Sequence, residues 1–490
     1  LSHRMRLRCA IIARMLRRTK IVATLGPASE RPKILRKMVN SGLDVARLNF
    51  SHGSADEHRK RARHLRKAAD DCGRDVGLLG DLQGPKIRVM RFKKGSVKLE
   101  TGASFFLDST LGLNDGTRKG VGVALDTLHD DVRKDDILLL NDGLISLRVD
   151  EVDGTRIHTT VIDGGILSDH KGINLKGGGL SAPALTDVDR KNIKLAAELK
   201  IDFLAVSFVR SGADIDEARR LFEAAGGTGQ IVAKIERTEA VADIDSIIAA
   251  ADVIMVARGD LGVEMGYAGL TGIQKKLIRK TRKAHKVVIT ATQMMESMIE
   301  NPIPTRAEVS DVANAVIDGT DAVMLSGETA VGNHPNKAIQ AMAEVCVGAE
   351  RFQVPQASTQ RAADQFARVD EAIAMAAMYT ANHLRVSAII ALTESGSTAL
   401  WMSRVRSDIP IYALTPHETT SRRVTLYRGV YPVEFEIDVD KPKDLFRDIF
   451  KKLIEEGHAK VGDLAILTKG DLDGVSGSTN ALRILQVTDE

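Results

Sequence analysis

Three cysteines in 490 residues, Cys9, Cys72 and Cys346, are too few and too scattered for a disulfide framework, and no CxxC pair marks a zinc site. That usage fits a reducing, cytoplasmic compartment. Aromatic residues are also scarce, at 4% with one Trp, and 12 Pro and 41 Gly are near ordinary usage, which excludes collagen-like and low-complexity classes. No apolar run approaches the roughly 18 residues that a membrane span needs. Neither charge is in marked excess: 69 Lys+Arg stand against 65 Asp+Glu, a formal net +4, too mild for a nucleic-acid binder. A G-x-x-x-x-G-K-[ST] loop is missing too, so any nucleotide must be held without a P-loop. The partial dinucleotide fingerprint at Gly177–Gly179 lacks a strand-turn-helix context and reads as a hinge.

What is present is a globular composition, 43% hydrophobic and 27% charged, over a length that suggests about three domains. The basic opening LSHRMRLRCAIIARMLRR reads as a helix leading into the fold rather than a transit peptide. From Lys20 onward, short aliphatic runs alternate with amphipathic helical stretches. Candidate strands are Lys20–Gly26, Asp44–Phe50, Gly77–Leu82, Ile201–Phe208, Gln230–Glu236, Val253–Arg258, Val287–Gln293 and Ala322–Ser326. Eight such βα units suggest a closed (β/α)₈ barrel. The helices between them include Glu239–Ala250, Ile273–His285 and Asn336–Glu350.

Between the third and fourth strands the texture changes. Segments such as DDILLLNDGLISLRVDEVDGTRIHTTVIDGG carry hairpin signals and little helical periodicity, so a small β-domain interrupts the barrel. After a polar connector beginning QVPQAS, strand and helix alternate again, as in a small open α/β sheet. The chain therefore divides into 1–86, an N-terminal helix and the first part of the barrel; 87–183, the insert; 184–352, the rest of the barrel; and 353–490, the α/β domain.

In a parallel barrel, chemistry is built at the carboxyl ends of the strands. Six of the eight ends carry reactive side chains: Arg47, Asn49, Ser51 and His52; Asp81, followed by Lys86 and Arg88; Lys234 and Glu236; Gly259 and Asp260; Thr292; Ser326 and Glu328. Lys234 and Glu236 are two apart on a strand and so share a face. Glu236 and Asp260, on adjacent strands, suit one hard divalent cation, Mg²⁺ or Mn²⁺, with Lys234 beside it. That arrangement stabilises a developing enolate or a transferring phosphoryl group.

The segments TKIVATLGPAS, DVARLNFSHG, DLQGPKIR, VAKIE, VARGDLG and ATQMMESMIENPIPTRAEVSDVANAVIDGTDAVMLSGETAVGNHP resemble the pyruvate kinase family, of bacterial type, in order from about Lys20 to Glu350. The resemblance implies a TIM barrel with an inserted small β-barrel lid domain and a C-terminal α/β domain. It implies transfer of a phosphoryl group from phosphoenolpyruvate to ADP in glycolysis, and a cytoplasmic homotetramer with neither nucleic acid nor membrane as partner. Residue by residue, Lys234 would stabilise the transferring group and the enolate, and Glu236 and Asp260 would ligate magnesium. Arg47 would clamp phosphate, Gly259, Asp260 and Thr292 would hold the carboxylate, and Thr292, Ser326 and Glu328 would relay the proton. Arg88, Asn49 and His52 would face the nucleotide.

The chain departs from the family pattern at two places. Where potassium-dependent members read D-T-K-G-P-E-I-R, this chain has Asp81-Leu82-Gln83-Gly84-Pro85-Lys86-Ile87-Arg88. Leu82 removes a hydroxyl from the monovalent-ion position that Asn49, Ser51 and Asp81 would line, and Lys86 brings a fixed cation, so K⁺ is expected to be dispensable. The second departure is Ser211, where many relatives carry a nucleotide-contacting lysine; no role is assigned to it. In the last domain, Thr393, Ser395, Gly396, Ser397 and Thr398, with Gly477 and Ser478, read as a nest for a phosphorylated sugar or nucleotide effector. Two rivals remain: another barrel enzyme of enolate chemistry, such as a lyase, and a sensor or nucleic-acid-associated protein using Arg14, Arg17 and Arg18.

Overall fold

A computed structural model describes residues 16–352, 366–438, 442–470 and 477–489. The expected opening helix, Arg14 and the connector from 353 to 365 lie outside the described residues. All eight expected barrel strands form: β1 (Lys20–Leu25), β2 (Val45–Asn49), β3 (Gly77–Asp81), β4 (Phe203–Val206), β5 (Gln230–Ile235), β6 (Val253–Ala257), β7 (Val287–Ala291) and β8 (Ala322–Leu325). They close in the order β1-β8-β7-β6-β5-β4-β3-β2. β1, β3, β6, β7 and β8 are buried along their whole length, as strands covered on both faces must be.

The strands are shorter than the sequence suggests, for backbone reasons. Arg258 opens a helix, Arg258–Met265, instead of ending β6. Thr292 and Gln293 take positive φ, 67° and 52°, and so terminate β7. The single helix expected over Glu239–Ala250 is two, Thr238–Ala242 and Ile244–Ala250, broken at Asp243. Helix Ala55–Cys72 starts at a Ser54–Glu57 capping box and stops at left-handed Gly73.

Two compact units can be distinguished. One comprises residues 1–80, 199–203 and 278–490; the other comprises 81–198 and 204–277. The second unit contains the insert: a six-stranded mixed sheet and a two-stranded ribbon. Its core is mainly aliphatic, around Val89, Leu107, Val121, Leu138, Leu147 and Val149, with Phe92 and Phe105. The chain leaves the insert through Gly177, Gly178 and Gly179, the glycines read from sequence as a hinge, all at φ between 85° and 108°, which only glycine adopts freely.

That exit is tied to Glu264 and Glu239. Gly177 N donates to the Glu264 carbonyl (3.1 Å) and Gly179 N to Glu239 Oε1 (2.6 Å). Thr238 N and Asn174 Nδ2 donate to the Glu264 carboxylate at 3.1 and 3.5 Å. Burial, opposed by Thr238 N and Arg237 and helped by Glu239, pushes the Glu264 carboxyl up to about 7 from 4.5. An acid with a raised folded pKa binds its proton more tightly folded than unfolded. It therefore costs stability progressively as pH rises from 4.5 through about 7, and fully above that. Glu264→Gln should stabilise the protein by about 2 kcal/mol at pH 8 and leave it unchanged at pH 4. Thermal unfolding across that range checks this, and equal melting curves at pH 8 would refute it.

In the first unit, the α/β domain forms a sheet of β9 (Ala388–Leu392), β10 (Ile411–Thr415), β11 (Val430–Glu434), β12 (Leu464–Gly470) and β13 (Thr479–Gln486), in the order β11-β10-β9-β12-β13. Only β13 runs antiparallel, an edge direction that strand-helix alternation does not predict.

Candidate active site

Within the second unit, Lys234 and Glu236 do leave β5 on one face. Lys234 Nζ lies 3.0 Å from Glu236 Oε1 and 3.2 Å from Asp81 Oδ1, and donates to Ser207 Oγ at 2.6 Å. Its side chain is 11% exposed, whereas Asp81 and Glu236 are buried. The other Glu236 oxygen accepts from Phe208 N at 2.8 Å, which fixes the carboxylate plane. A second lysine sits on Asp260: Lys86 Nζ donates to Asp260 Oδ1 at 2.9 Å and lies 3.6 Å from Asp142. Burial works against the Lys86 ammonium, but Asp260 and Asp142 outweigh it and hold its pKa above the ordinary value.

The turn that delivers Lys86 depends on Gly84, at φ 66°, where a Cβ would stand 2.8 Å from Ser207 Cβ. Arg88, at the edge of the insert, donates to the His170 carbonyl at 2.8 Å. Gly259 and Asp260 lie in the first turn of helix Arg258–Met265, where backbone N–H groups favour an anion.

The donor set suits a hard divalent ion. Burial raises the proton affinity of Glu236; Lys234 opposes that, while Asp260 and Asp81 add to it. A carboxylate so placed takes up a cation readily, and the oxygens available are of the kind magnesium prefers. Among the described residues no group of three or more His, Cys, Asp or Glu could hold a metal ion. Substrate oxygens and water would have to complete the coordination.

In the first unit, Arg47 on β2 is buried and donates to Thr24 Oγ1 on β1 at 2.9 Å. Asn49 Oδ1 accepts from Ser51 N at 3.1 Å, and His52 is exposed. Thr292, in its left-handed conformation, donates through Oγ1 to the Ala291 carbonyl at 2.7 Å. Glu328 is buried, and burial raises its pKa against hydrogen bonds from Ser326 N (2.7 Å) and Met295 N (3.2 Å). Glu328 thus ties the segment after β7 to the turn after β8.

In the α/β domain, Gly396 takes φ 84° and its N–H donates to Thr393 Oγ1 at 2.9 Å, ahead of helix Ser397–Ser403. Thr393, Ser397, Thr398, Gly477 and Ser478 line one cavity together with Lys469. Ser395 Oγ donates to Ser397 Oγ at 3.3 Å. His417 Nε2 stands 2.5 Å from Glu394 Oε2.

Four residues escaped the sequence reading. Ser207 and Thr24 occupy the ends of β4 and β1, the two ends from which no side chain was taken, so the strand-end rule applied to all eight would have found them. Lys469 ends β12 and was open to the same rule. Asp142 is in a positive-φ turn of the insert, and no local signal gives its reach to Lys86. Ser211, left without a role, caps helix Gly212–Ala224 in a box with Asp214. Of Arg14, Arg17 and Arg18, which the nucleic-acid rival would use, Arg17 is 5% exposed with its Nη2 bound to Asp44 at 2.7 Å. No helix among the described residues is long and apolar enough to cross a membrane.

Comparison with known proteins agrees with this architecture. Residues 16–339 match the family model "Pyruvate kinase, barrel domain" and residues 371–485 match "Pyruvate kinase, alpha/beta domain". The chain is 54% identical over 480 residues to pyruvate kinase II of Salmonella typhimurium, covering 97% of this chain and 100% of that one. It is 50% identical to the pyruvate kinase of Haemophilus influenzae, with the same coverage of both. It is 43% identical to that of Geobacillus stearothermophilus, over 97% of this chain and 81% of the relative. With both family models matched in order and half of its residues shared with full-length relatives, the chain belongs to the pyruvate kinase family of phosphotransferases.

Proposed function

We propose that the chain transfers the phosphoryl group of phosphoenolpyruvate to ADP, giving ATP and pyruvate, and that the residues assembled around Lys234 carry the reaction. The observation that supports this most is the lysine held by Asp81, Glu236 and Ser207 at the ends of barrel strands. Arg47 binds the substrate phosphate, and Thr292 with the backbone N–H groups of Gly259 and Asp260 binds its carboxylate. A β-phosphate oxygen of ADP forms the new bond to phosphorus as the bond to the enolate oxygen breaks. Lys234 Nζ donates to the oxygens on which negative charge builds. The enolate carbon then takes a proton from water ordered by Thr292, Ser326 and Glu328.

Glu236 and Asp260 would hold Mg²⁺ or Mn²⁺, which supplies charge neutralisation for the phosphoryl oxygens and the enolate. Asn49, His52 and Arg88 face the nucleotide, and the insert, residues 87–183, excludes water as a lid; residues 1–86 and 184–352 make the barrel and residues 353–490 the effector domain. Lys86 replaces the monovalent cation that Asn49, Ser51 and Asp81 would otherwise bind. A phosphorylated sugar or nucleotide regulates the enzyme from the Thr393–Thr398 nest with Gly477 and Ser478. The working enzyme is a cytoplasmic homotetramer.

A lactate-dehydrogenase-coupled assay tests the reaction: pyruvate should form from phosphoenolpyruvate only when ADP and Mg²⁺ are both present. Pyruvate release that ignores ADP would instead indicate the enolate lyase, which needs no nucleotide.

A further inference from the structure

The α/β sheet has two ends. The phosphate nest lies at the carboxyl ends of its parallel strands, after β9. A second cavity lies at the amino ends, where Ile411 begins β10 and Gly429 precedes β11, and four arginines line it: Arg18, Arg282, Arg406 and Arg428. They come from the chain entering β1, from the end of helix Tyr267–Lys283 and from two loops of the α/β domain.

Around the cavity, Arg18, Arg428 and the adjacent Arg404 pair with Glu350, Asp408 and Asp321. Asp321 is taken by Arg404 in a fully buried pair. Arg18 Nε and Arg428 Nη2 share Glu350 at 3.6 and 3.9 Å, and Asp408 pairs with Arg18 at the exposed edge. Other donors go to backbone carbonyls, which orient a guanidinium without cancelling its charge: Arg282 to Gly319 O (2.6 Å) and Arg404 O (3.1 Å), Arg18 to Ser407 O and Glu350 O (both 2.8 Å). Burial first, then Arg404, Arg428 and Arg406 against Asp321, pushes the Arg282 guanidinium down to about 9.

Planar guanidiniums converging on one small space match the oxygens of a phosphate, which they bind in pairs. Ser403 and Ser407 add hydroxyls, while Ile409 and Ile411 offer an apolar wall to a carbon skeleton. We propose that this cavity binds a compact phosphate monoester, at a site distinct from both the Lys234 site and the nest. Its ligand would bridge Arg18 and Arg282 to Arg406 and Arg428, and so couple the α/β domain to the strand starts of the barrel.

Calorimetric titration of the full chain with glycerol 3-phosphate, at fixed ionic strength, tests the site. Arg406→Gln, at the partly exposed rim, and Arg282→Gln should each weaken one class of binding by roughly tenfold, with other phosphate binding intact. Ser397→Ala should leave that class untouched, which separates it from the nest. Inorganic phosphate and malonate should bind it more weakly than the monoester. Wild-type titrations from both arginine variants, or equal binding of phosphate or malonate, would overturn the proposal.

Discussion

Lys234→Met is expected to lower kcat by about 10³-fold or more while KM for phosphoenolpyruvate moves only a few-fold. The ammonium acts on charge that appears in the transition state, on the enolate oxygen and the departing phosphoryl group, and not on charge the bound substrate already has. A group used that way is lost from kcat, not from binding. The geometry adds a second expectation. Lys234 is within 3.2 Å of both Asp81 and Glu236 and is the positive charge beside these two buried carboxyl groups. Its removal should cost stability by about 3 kcal/mol, as loss of one partner from a buried pair does. Added Mg²⁺ should restore part of that, because it binds the folded carboxylates and not the unfolded chain. Steady-state kinetics with thermal unfolding, with and without Mg²⁺, read both effects. Full activity in the variant would end the assignment of Lys234 to the transition state.

The next largest effect should be seen at Lys86. With its ammonium 2.9 Å from Asp260 and held ionised by Asp260 and Asp142, the wild-type enzyme should turn over equally fast, within about twofold, in tetramethylammonium and potassium buffers. Lys86→Glu puts an anion beside Asp260 in place of a cation. It should cut kcat about 10²-fold in tetramethylammonium, with substantial recovery on adding KCl. A tenfold activation of the wild type by KCl would show that Lys86 does not do the work of the ion.

The barrel was legible because each buried parallel strand is an aliphatic run, and its chemistry was legible because polar side chains break those runs at one end. Lys234 and Glu236 needed only the two-residue period of a strand. Strand boundaries were less legible: the left-handed turn at Thr292 and Gln293 and the helix start at Arg258 are backbone states that side-chain pattern does not report. Contacts made by the insert were hidden for another reason. Asp142 reaches Lys86 only through the folding of a separate β-domain. The arginine cavity is the extreme case, since Arg18, Arg282, Arg406 and Arg428 share no motif and no spacing. Only tertiary structure brings their charges together.

Asp321, at the start of β8, accepts Lys20 N on β1 through its carbonyl (2.8 Å) and Val288 N on β7 through its carboxylate (2.9 Å). The guanidinium that compensates this buried carboxylate is Arg404, more than eighty residues later in the α/β domain, which also donates to the Lys286 carbonyl at 2.7 Å. During synthesis, then, the last barrel strand emerges from the ribosome before Arg404, the residue that forms its buried pair with Asp321, has been made. The pair that buries Asp321 therefore forms only once the α/β domain has followed it.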